Sequence, residues 1–344
     1  MAMTNPFTAT GFDMAAMTAA INKLPNLYNR VTGMFPEQPI NTTTVMVEQS
    51  NGSLNIVRSR ERGAPADKVT ADKRALRSLV IPHIPVSDVV LPHEIQNVRE
   101  FGSETSMESQ AGVVARKLQK MKNIIDQTRE YLAVGALKGI ILDADGSTLY
   151  NLFTEFGITA ASNPGDIGKY LVHDFVLDSN STVVKTKCLN VKRHIEKNLR
   201  GERMTGVRGL CGSTFYDAFT THPMVERAFE AYMALNQSLA EDDRQGFKFG
   251  GIVWEEYNAS WTDKDGNTRA DIADNKAICF PEGTGNTFET VVAPGNFMEA
   301  VNTMGVPYYA RQQDKPLGQG MDLWAEANVL PICKRPEVLV EVTI

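Results

Sequence analysis

Histidine and cysteine are scarce in this sequence, and neither is spaced as metal ligands usually are. The 344 residues include five histidines and four cysteines. No C-x-x-C pair and no H-x-x-x-H pair occurs, so the common zinc-site patterns and a disulfide framework are not indicated. We therefore expect no metal, no other cofactor, and buried thiols in a reducing compartment. The cysteines are Cys188, Cys211, Cys279 and Cys333.

Long apolar runs and a strong surplus of one charge are also missing. The longest nearly apolar stretch, residues 131–142, is short and contains Lys138, which is too little for a membrane-spanning helix. No basic segment precedes the first apolar residues, and Asp13 lies among them, so we expect no secretory signal. A net charge of −6 gives no case for a dedicated nucleic-acid-binding protein.

Motifs of nucleotide-binding and hydrolytic enzymes are absent as well. Neither G-x-x-x-x-G-K-[ST] nor a strand-linked G-x-G-x-x-G occurs. Cys211 and Ser213 precede His222, but they do not form the G-x-S-x-G elbow of α/β-hydrolases. We expect no catalytic residue, and we keep one alternative from another class. That alternative is a soluble α+β hydrolase that uses Cys211, Ser213 and His222.

A very long helix, predicted over residues 103–139, is the dominant feature that is present. Thr105 and Glu108 have the spacing of a capping box, and Gly135 and Gly139 mark the far end. At 1.5 Å per residue such a helix spans roughly 50 Å, so it needs an extended surface to pack against. Its apolar or small residues recur at three-and-four spacing on one line, which also carries Thr128. They are Met107, Ala111, Val114, Leu118, Met121, Ile125 and Leu132.

The first 40 or so residues predict an arm rather than a domain. A short helix over about residues 13–24 is followed by Pro25, Gly33 and Pro36, which interrupt regular structure. Such an arm has little core of its own. Its order must come from packing on another surface, either its own body or a neighbouring subunit.

A long β-loop is predicted between the arm and the helix. Residues 42–49 and 54–60 flank Asn51-Gly52, a strong hairpin signal. Residues 74–82 and 84–91 again have strand character after a polar, turn-rich stretch. Two extended runs separated by a charged tip describe a ribbon that projects from a body.

The second half of the chain predicts a mixed α and β region. Residues 165–250 are expected to be mainly helical, and residues 185–199 form an amphipathic helix. Residues 250–279 are expected to be β, with the three tryptophans more often core than exposed. The final run, residues 337–344, alternates apolar residues and is expected to enter a sheet begun earlier, which would interleave the domains.

Seven short motifs, each weak alone, occur in a specific order along these elements. They are Ile81-Pro82-His83-Ile84-Pro85, Leu142-Asp143-Ala144-Asp145-Gly146, His222-Pro223-Met224-Val225, Ala293-Pro294-Gly295-Asn296-Phe297, Gly305-Val306-Pro307-Tyr308-Tyr309, Asn328-Val329-Leu330-Pro331-Ile332 and Arg335-Pro336-Glu337. Together with the order of arm, β-loop, long helix, mixed region and terminal strand, they resemble the lambda-like major capsid protein E family of tailed phages. The resemblance covers nearly the whole chain.

The resemblance implies an α+β, HK97-like major capsid fold with named parts. Residues 1–42 would be the N-arm, 43–98 the extended β-loop or E-loop, and 99–142 the spine helix with P-domain. Residues 143–334 would be the A-domain with interleaved P-domain segments, and 335–344 a C-terminal P-domain strand. The implied function is a major capsid protein that self-assembles into pentamers and hexamers. These would form the icosahedral head shell of a tailed double-stranded DNA phage or prophage.

The resemblance also implies partners and a location. The chain opens directly into a short arm without a long helical extension, so we expect a separate scaffolding protein. A portal, a candidate decoration protein and packaged double-stranded DNA, contacted non-specifically, are further expected partners, and no membrane is. We expect assembly in the bacterial host cytoplasm and a final location in the virion.

Two groups of basic residues are the candidate contact sites. Between Arg58 and Arg77, seven bases face three acids, which describes either a solvated loop or a tip that docks on an acidic neighbour. Its candidate intersubunit contacts are Arg58, Arg60, Arg62, Lys73 and Arg74. The candidate capsomer-axis or DNA-facing patch is Lys192, Arg193, Lys197, Arg200 and Arg203. A nucleic-acid-binding module built on residues 192–208 is the third hypothesis.

Overall fold

The chain folds into two compact units, each assembled from segments that are distant in sequence. The structure, a computed structural model, describes residues 14–25, 30–50, 74–96, 110–228, 246–262, 265–270 and 272–344. Unit 1 comprises Met1–Val45, Ser78–Ala133 and Glu289–Ile332. Unit 2 comprises Met46–Arg77, Val134–Phe288 and Cys333–Ile344.

The helices and strands of the described residues have the following bounds. The α-helices are α1 (Met14–Lys23), α2 (Gln110–Lys138), α3 (Leu152–Glu155), α4 (Val184–Asn198) and α5 (Ser213–Thr221). The first nine strands are β1 (Glu37–Pro39), β2 (Thr44–Ser50), β3 (Arg74–Val80), β4 (His83–Val90), β5 (Ile140–Leu142), β6 (Thr148–Asn151), β7 (Thr159–Ala160), β8 (Lys169–Asp174) and β9 (Gly206–Cys211). The others are β10 (Phe247–Phe249), β11 (Ile252–Glu256), β12 (Ser260–Thr262), β13 (Thr268–Ala270), β14 (Lys276–Glu282), β15 (Phe288–Val292), β16 (Tyr309–Asp314), β17 (Met321–Cys333) and β18 (Val340–Thr343).

Unit 1 is built on a five-stranded sheet whose centre is the long strand β17. The strand order is β1-β15-β17-β16, and β4 also pairs with β17. Both β16 and β4 run antiparallel to β17, whereas β1 runs parallel to β15. The helix α1 packs against β16, and apolar residues of α1 and α2 join those of β17 in one core cluster. Its members include Met17, Ile21, Leu118, Met121, Ile125, Leu323 and Val329.

The predicted long helix is present as α2, and its apolar line is confirmed from Val114 onwards. Of the seven predicted positions, those from Val114 to Leu132 are buried, Ala111 is exposed, and Met107 lies outside the described residues together with the predicted cap. The single stripe is wrong for the end of the helix, where every residue from Arg129 to Leu137 is buried. A helix buried on all sides is packed all round, and sequence periodicity does not predict that.

The described part of the N-terminal arm packs on its own chain. The helix α1 agrees with the predicted residues 13–24, and β1 continues the unit 1 sheet by pairing Glu37–Pro39 with Thr290–Val292. Of the two surfaces that the sequence left open, the chain's own body is therefore the one that orders these residues.

Unit 2 is built on a seven-stranded sheet of order β10-β11-β9-β14-β18-β8-β7. Aromatic side chains pack beside it around Trp254, whose ring centroid lies 4.6 Å from that of Phe219 and 5.8 Å from that of Phe175. Trp254 is fully buried, as predicted, but Trp261 is only partly buried and Trp324 is exposed, so the core prediction is wrong for these two.

Two strands correct the prediction that residues 165–250 are mainly helical. The helix α4 is close to its predicted bounds of 185–199, and Cys188, Val191 and Ile195 are buried on its inner face. However, β8 and β9 lie in the same region. The strand β9 has the sequence GVRGLC, and its glycines suggest a loop until the fold is known.

The C-terminal strand enters a sheet begun earlier, as predicted. It pairs with β14 antiparallel and with β8 parallel. Residues Cys333–Ile344 fall in unit 2 with Val134–Phe288, whereas most of α2 falls in unit 1. The names P-domain and A-domain for these segments stay a prediction.

Candidate assembly surfaces

Four charged side chains of α2 are buried in unit 1 beside the N-terminal segment. Lys122, Asp126, Arg129 and Glu130, which we call the α2 charge cluster, are almost fully removed from solvent. A buried charge is costly unless it is paired or hydrogen-bonded, so its partners show what it does.

Glu130 caps a turn of the arm. One carboxylate oxygen accepts a hydrogen bond from the Val31 N–H at 2.8 Å, and the other accepts from the Thr32 N–H at 2.9 Å and from the Thr32 hydroxyl. These groups lie at the start of the 3-10 turn Thr32–Met34, where N–H groups lack backbone partners and an anion is favoured.

Arg129 ties the arm to Tyr308. Its guanidinium donates to the Tyr308 hydroxyl at 2.5 Å and forms an ion pair with Glu37 of β1. The same hydroxyl donates to Asp126. Burial raises the pKa of Tyr308, so the phenol remains protonated and can make this donation.

Lys122 holds the end of α1. Its ammonium donates to the Leu24 carbonyl and lies 4.6 Å from the centre of the Tyr308 ring. Burial lowers the pKa of Lys122, and the nearby Asp126 carboxylate opposes this effect. The Asn22 amide adds a hydrogen bond of 2.9 Å to the Tyr308 carbonyl. The α2 charge cluster therefore fastens the arm to the helix.

The α2 charge cluster was not predicted from the sequence, although a signal was present. Lys122, Asp126 and Arg129 have the spacing i, i+4, i+7, which places them on one face of a helix. Each follows a residue of the apolar line or lies next to it, so the spacing indicates charges at the edge of the buried stripe. Only a partner from another segment makes such burial tolerable, and the sequence does not identify that partner.

The β2–β3 pair lies where the projecting ribbon was predicted. The two strands form a two-stranded sheet, in which Met46 is exposed and Val47 and Leu79 are buried. The predicted hairpin at Asn51-Gly52 lies outside the described residues. So do Arg58, Arg60, Arg62 and Lys73, and Arg74 is described only as the first residue of β3. These intersubunit contacts stay a prediction.

The segment 296–304 of unit 1 displays large apolar side chains. Met298, Val301 and Met304 are 87%, 56% and 56% exposed. The segment is anchored, because the Asn296 N–H donates to buried Glu326 at 2.5 Å and Ala300 is buried. A fixed apolar loop on a surface is typical of a protein contact site.

Three of the five residues in the predicted basic patch of unit 2 are exposed. Arg193, Lys197 and Arg203 are in this group. Lys192 is only partly exposed and lies 3.8 Å from Glu196 on the next turn of α4. Arg193 and Lys197 are four residues apart and share one face of the helix.

Arg200 differs from the rest of the predicted patch. Its backbone is left-handed, with φ 49°, and its guanidinium lies 3.5 Å from the buried carboxylate of Glu337. Burial raises the pKa of Glu337, whereas Arg200 and Arg335 act to lower it. Arg200 thus compensates a buried acid of its own unit, and its charge is less available to a ligand than the sequence indicated.

The structure gives no support to the alternative hydrolase site. Cys211 is fully buried, and burial raises the pKa of its thiol well above the usual range, which disfavours a thiolate nucleophile. Ser213 begins α5 and His222 follows its end, which separates them by roughly 13 Å at 1.5 Å per residue. His222 instead accepts from the Met224 N–H and faces the Ser179 carbonyl.

His173 of β8 is held neutral inside unit 2. Burial, with a further contribution from Lys187, lowers the pKa of His173 to about 4, and Asp174 opposes the shift. Its ring packs edge-on against Phe175, with centroids 5.6 Å apart.

The comparison with known proteins agrees with the arrangement of these elements. The family model for phage major capsid protein E matches residues 13–344. The chain belongs to this family. This capsid protein is 26% identical to the major capsid protein of Salmonella phage Felix O1, with 96% of each chain covered. It is 25% identical to the major capsid protein of Pseudomonas phage KPP10, with 98% of each covered.

The fold of this capsid protein is the HK97-like capsid fold. A putative capsid protein of an Escherichia coli CFT073 prophage superposes with a TM-score of 0.57 at 11% identity, covering 97% of this chain and 99% of that one. The α+β class and the capsid fold expected from the sequence are therefore confirmed, and the protein is a structural component of the phage capsid.

The described part of this capsid protein has neither a grouped set of metal ligands nor a membrane-spanning helix. There, no group of three or more His, Cys, Asp or Glu side chains is placed to hold a metal ion. None of the helices described is both long enough and apolar enough to cross a membrane.

Proposed function

We propose that this capsid protein assembles into pentamers and hexamers that form the icosahedral head shell of a tailed double-stranded DNA phage or prophage. The match of the family model to residues 13–344 carries this proposal, because nearly every segment takes part in the resemblance. The protein acts as a building block and has no catalytic role. We expect it to assemble in the bacterial host cytoplasm.

Two features of the described residues support a role as a subunit of a shell. Unit 1 fastens its arm with buried charges, so the subunit brings a fixed surface to its neighbours rather than a loose segment. The exposed apolar segment 296–304 is anchored at both backbone and side-chain level. A shell needs such pre-formed surfaces, since ordering them on assembly would cost binding free energy.

The parts named by the family are proposed for this chain with the boundaries given above. The helix α2 would be the spine, β2 and β3 the roots of the E-loop, and residues 143–334 chiefly the A-domain. The division of the chain at Ala133 and Val134 supports a separate body after most of the helix.

The proposed partners are a scaffolding protein, a portal, a decoration protein and the packaged DNA. Arg193, Lys197 and Arg203 support the last of these, because exposed bases attract phosphate without reading sequence. The bases of the loop tip, including Arg58, are proposed to meet an acidic neighbouring copy.

The test of assembly uses the purified full chain, sedimentation velocity and negative-stain microscopy. We expect rings, capsomers or shells, and a clean monomer at every protein and salt concentration would contradict the proposal. A triple change of Met298, Val301 and Met304 to serine should lower the assembled fraction. These side chains are exposed, so the free energy of unfolding should change little.

A change in a solvent-exposed polar loop is the matched control for that variant. Ala substitutions at Asp143 and Asp145, in the turn between β5 and β6, alter exposed residues of unit 2 without removing apolar surface. They should leave assembly as in the wild type. Equal loss of assembly in both variants would remove the apolar segment from the list of contact surfaces.

A further inference from the structure

Val176 combines two features that are unfavourable in an isolated subunit. Its backbone is left-handed, with φ 53°, a conformation that is a genuine outlier for a β-branched residue. Its side chain is also 41% exposed, although its neighbours Phe175 and Leu177 are buried. Outliers of this kind persist only where the surroundings enforce them, and they concentrate at functional positions.

The surrounding loop fixes this conformation with side-chain and backbone hydrogen bonds. The Val176 N–H donates to a carboxylate oxygen of Asp174 at 2.9 Å, and the Val176 carbonyl accepts from the Thr182 hydroxyl at 2.9 Å. The same carbonyl accepts from the Ser179 N–H at 3.3 Å. The exposed valine is therefore held in place.

Two more exposed apolar residues lie on adjoining segments. Val183, 51% exposed, follows Thr182 and precedes α4. Met224 is 40% exposed, and its N–H donates to His222, whose other ring nitrogen lies 3.2 Å from the carbonyl of Ser179 in the loop. We call Val176, Val183 and Met224 the Val176 patch.

We infer that the Val176 patch is a contact between copies of this capsid protein. The inference rests on the proposed function, which makes a second copy the partner that every subunit meets. A rigid apolar patch loses little conformational freedom when another surface covers it. Three side chains are far less than the roughly 800 Å² per partner of a standard interface. The patch therefore suits a lattice in which several small contacts add together.

The decisive variant is Val176→Asn. Asparagine tolerates the left-handed region, so the substitution should keep the backbone conformation while it removes apolar surface from the patch. We expect an unchanged or higher unfolding midpoint in urea and a rise of about tenfold in the protein concentration needed for assembly, followed by sedimentation velocity. Met224→Gln, which involves no left-handed backbone, should raise that concentration in the same direction.

Val176→Ile is the matched control, because it keeps both the β-branch and the apolar surface. It should assemble at the wild-type concentration. If Val176→Asn and Met224→Gln also assemble there, the patch is only a strained turn and the inference is overturned, while the proposed function stands. A wild-type chain that never assembles overturns the proposed function and this inference with it.

Discussion

Gly209 of β9 shows how one residue can be fixed by the core of unit 2. A Cβ atom at this position would lie 2.7 Å from the Trp254 ring and 3.2 Å from the Cys279 sulfur. Because the ring is fully buried and packed against Phe219, it has little room to move. The glycine is thus required by contact, and this explains a strand sequence that looks like a loop.

We expect Gly209→Ala to lower the free energy of unfolding by about 1–3 kcal/mol through overpacking. Urea unfolding followed by tryptophan fluorescence measures this. Gly285→Ala is the control, because no atom lies within 4 Å of a Cβ there, and it should change the stability little. Equal effects of the two changes would show that the Trp254 contact is not what excludes a side chain.

Glu130→Gln tests the cap of the arm. The change removes the negative charge that accepts from Val31 and Thr32, and charge-assisted hydrogen bonds contribute about 1.5–3 kcal/mol each before relaxation. We expect a loss of about 1–3 kcal/mol in urea unfolding. Glu196→Gln, at an exposed position, should cost little. A wild-type midpoint for Glu130→Gln would contradict the capping role.

His173 makes stability depend on pH with a definite sign. Because its pKa is lowered to about 4 in the folded chain, the unfolded chain binds more protons between about pH 4 and the ordinary pKa of 6.5. We expect this contribution to fall as the pH falls through that window. In His173→Gln the urea midpoint should decline less between pH 7 and pH 4. An identical decline in both proteins would contradict this assignment.

At the scale of elements, local pattern was enough for the helices and insufficient for their surroundings. Periodic apolar residues predicted α1, α2 and α4 with nearly correct bounds. The strands β8 and β9 were missed, since one has a single fully buried residue and the other contains glycines. The α2 charge cluster was missed because its partners lie on segments far away in sequence. Local spacing therefore predicts faces of helices but does not identify what covers them.

Ile21→Ala tests whether α1 is a separately releasable element. Ile21 is fully buried in the core of unit 1, and such a truncation typically costs about 2–5 kcal/mol. We expect faster hydrogen exchange in residues 14–25 and in the part of β16 that α1 covers. Lys23→Ala, on the exposed side of α1, is the control and should exchange as the wild type. Uniformly faster exchange throughout unit 1 would show that α1 does not open separately.

At the scale of the whole molecule, the fold and the family could be predicted from the order of elements, while the contact surfaces could not. The predicted loop tip near Arg58 lies outside the described residues. The apolar contacts at Met298 and Val176 carry no sequence signal, because a lone exposed valine or methionine looks like any core residue. Exposure is a property of the fold, so only the structure distinguishes the two.

The basic patch predicts a weak attraction of DNA that depends on salt. Changing Arg193, Lys197 and Arg203 to glutamate should flatten the dependence of DNA affinity on salt, by about one unit of log–log slope for each phosphate that is no longer neutralised. Fluorescence anisotropy with duplexes of unrelated sequence measures it, and the wild type should not distinguish between the sequences.

The control for this prediction reverses three exposed charges of unit 1, at Lys23, Arg116 and Lys120. It changes the net charge equally and should keep the wild-type slope. If the slope flattens equally in both variants, general charge rather than the patch attracts DNA.

The burial of all four thiols has a practical consequence for labelling. Each native cysteine is buried and free, and burial raises the pKa of every one, so none should react quickly with a maleimide while the protein is folded. A cysteine introduced at an exposed site would then be the sole fast-reacting position. Every subunit of a particle could carry one dye or cargo at a chosen place, without first removing the natural sulfhydryls.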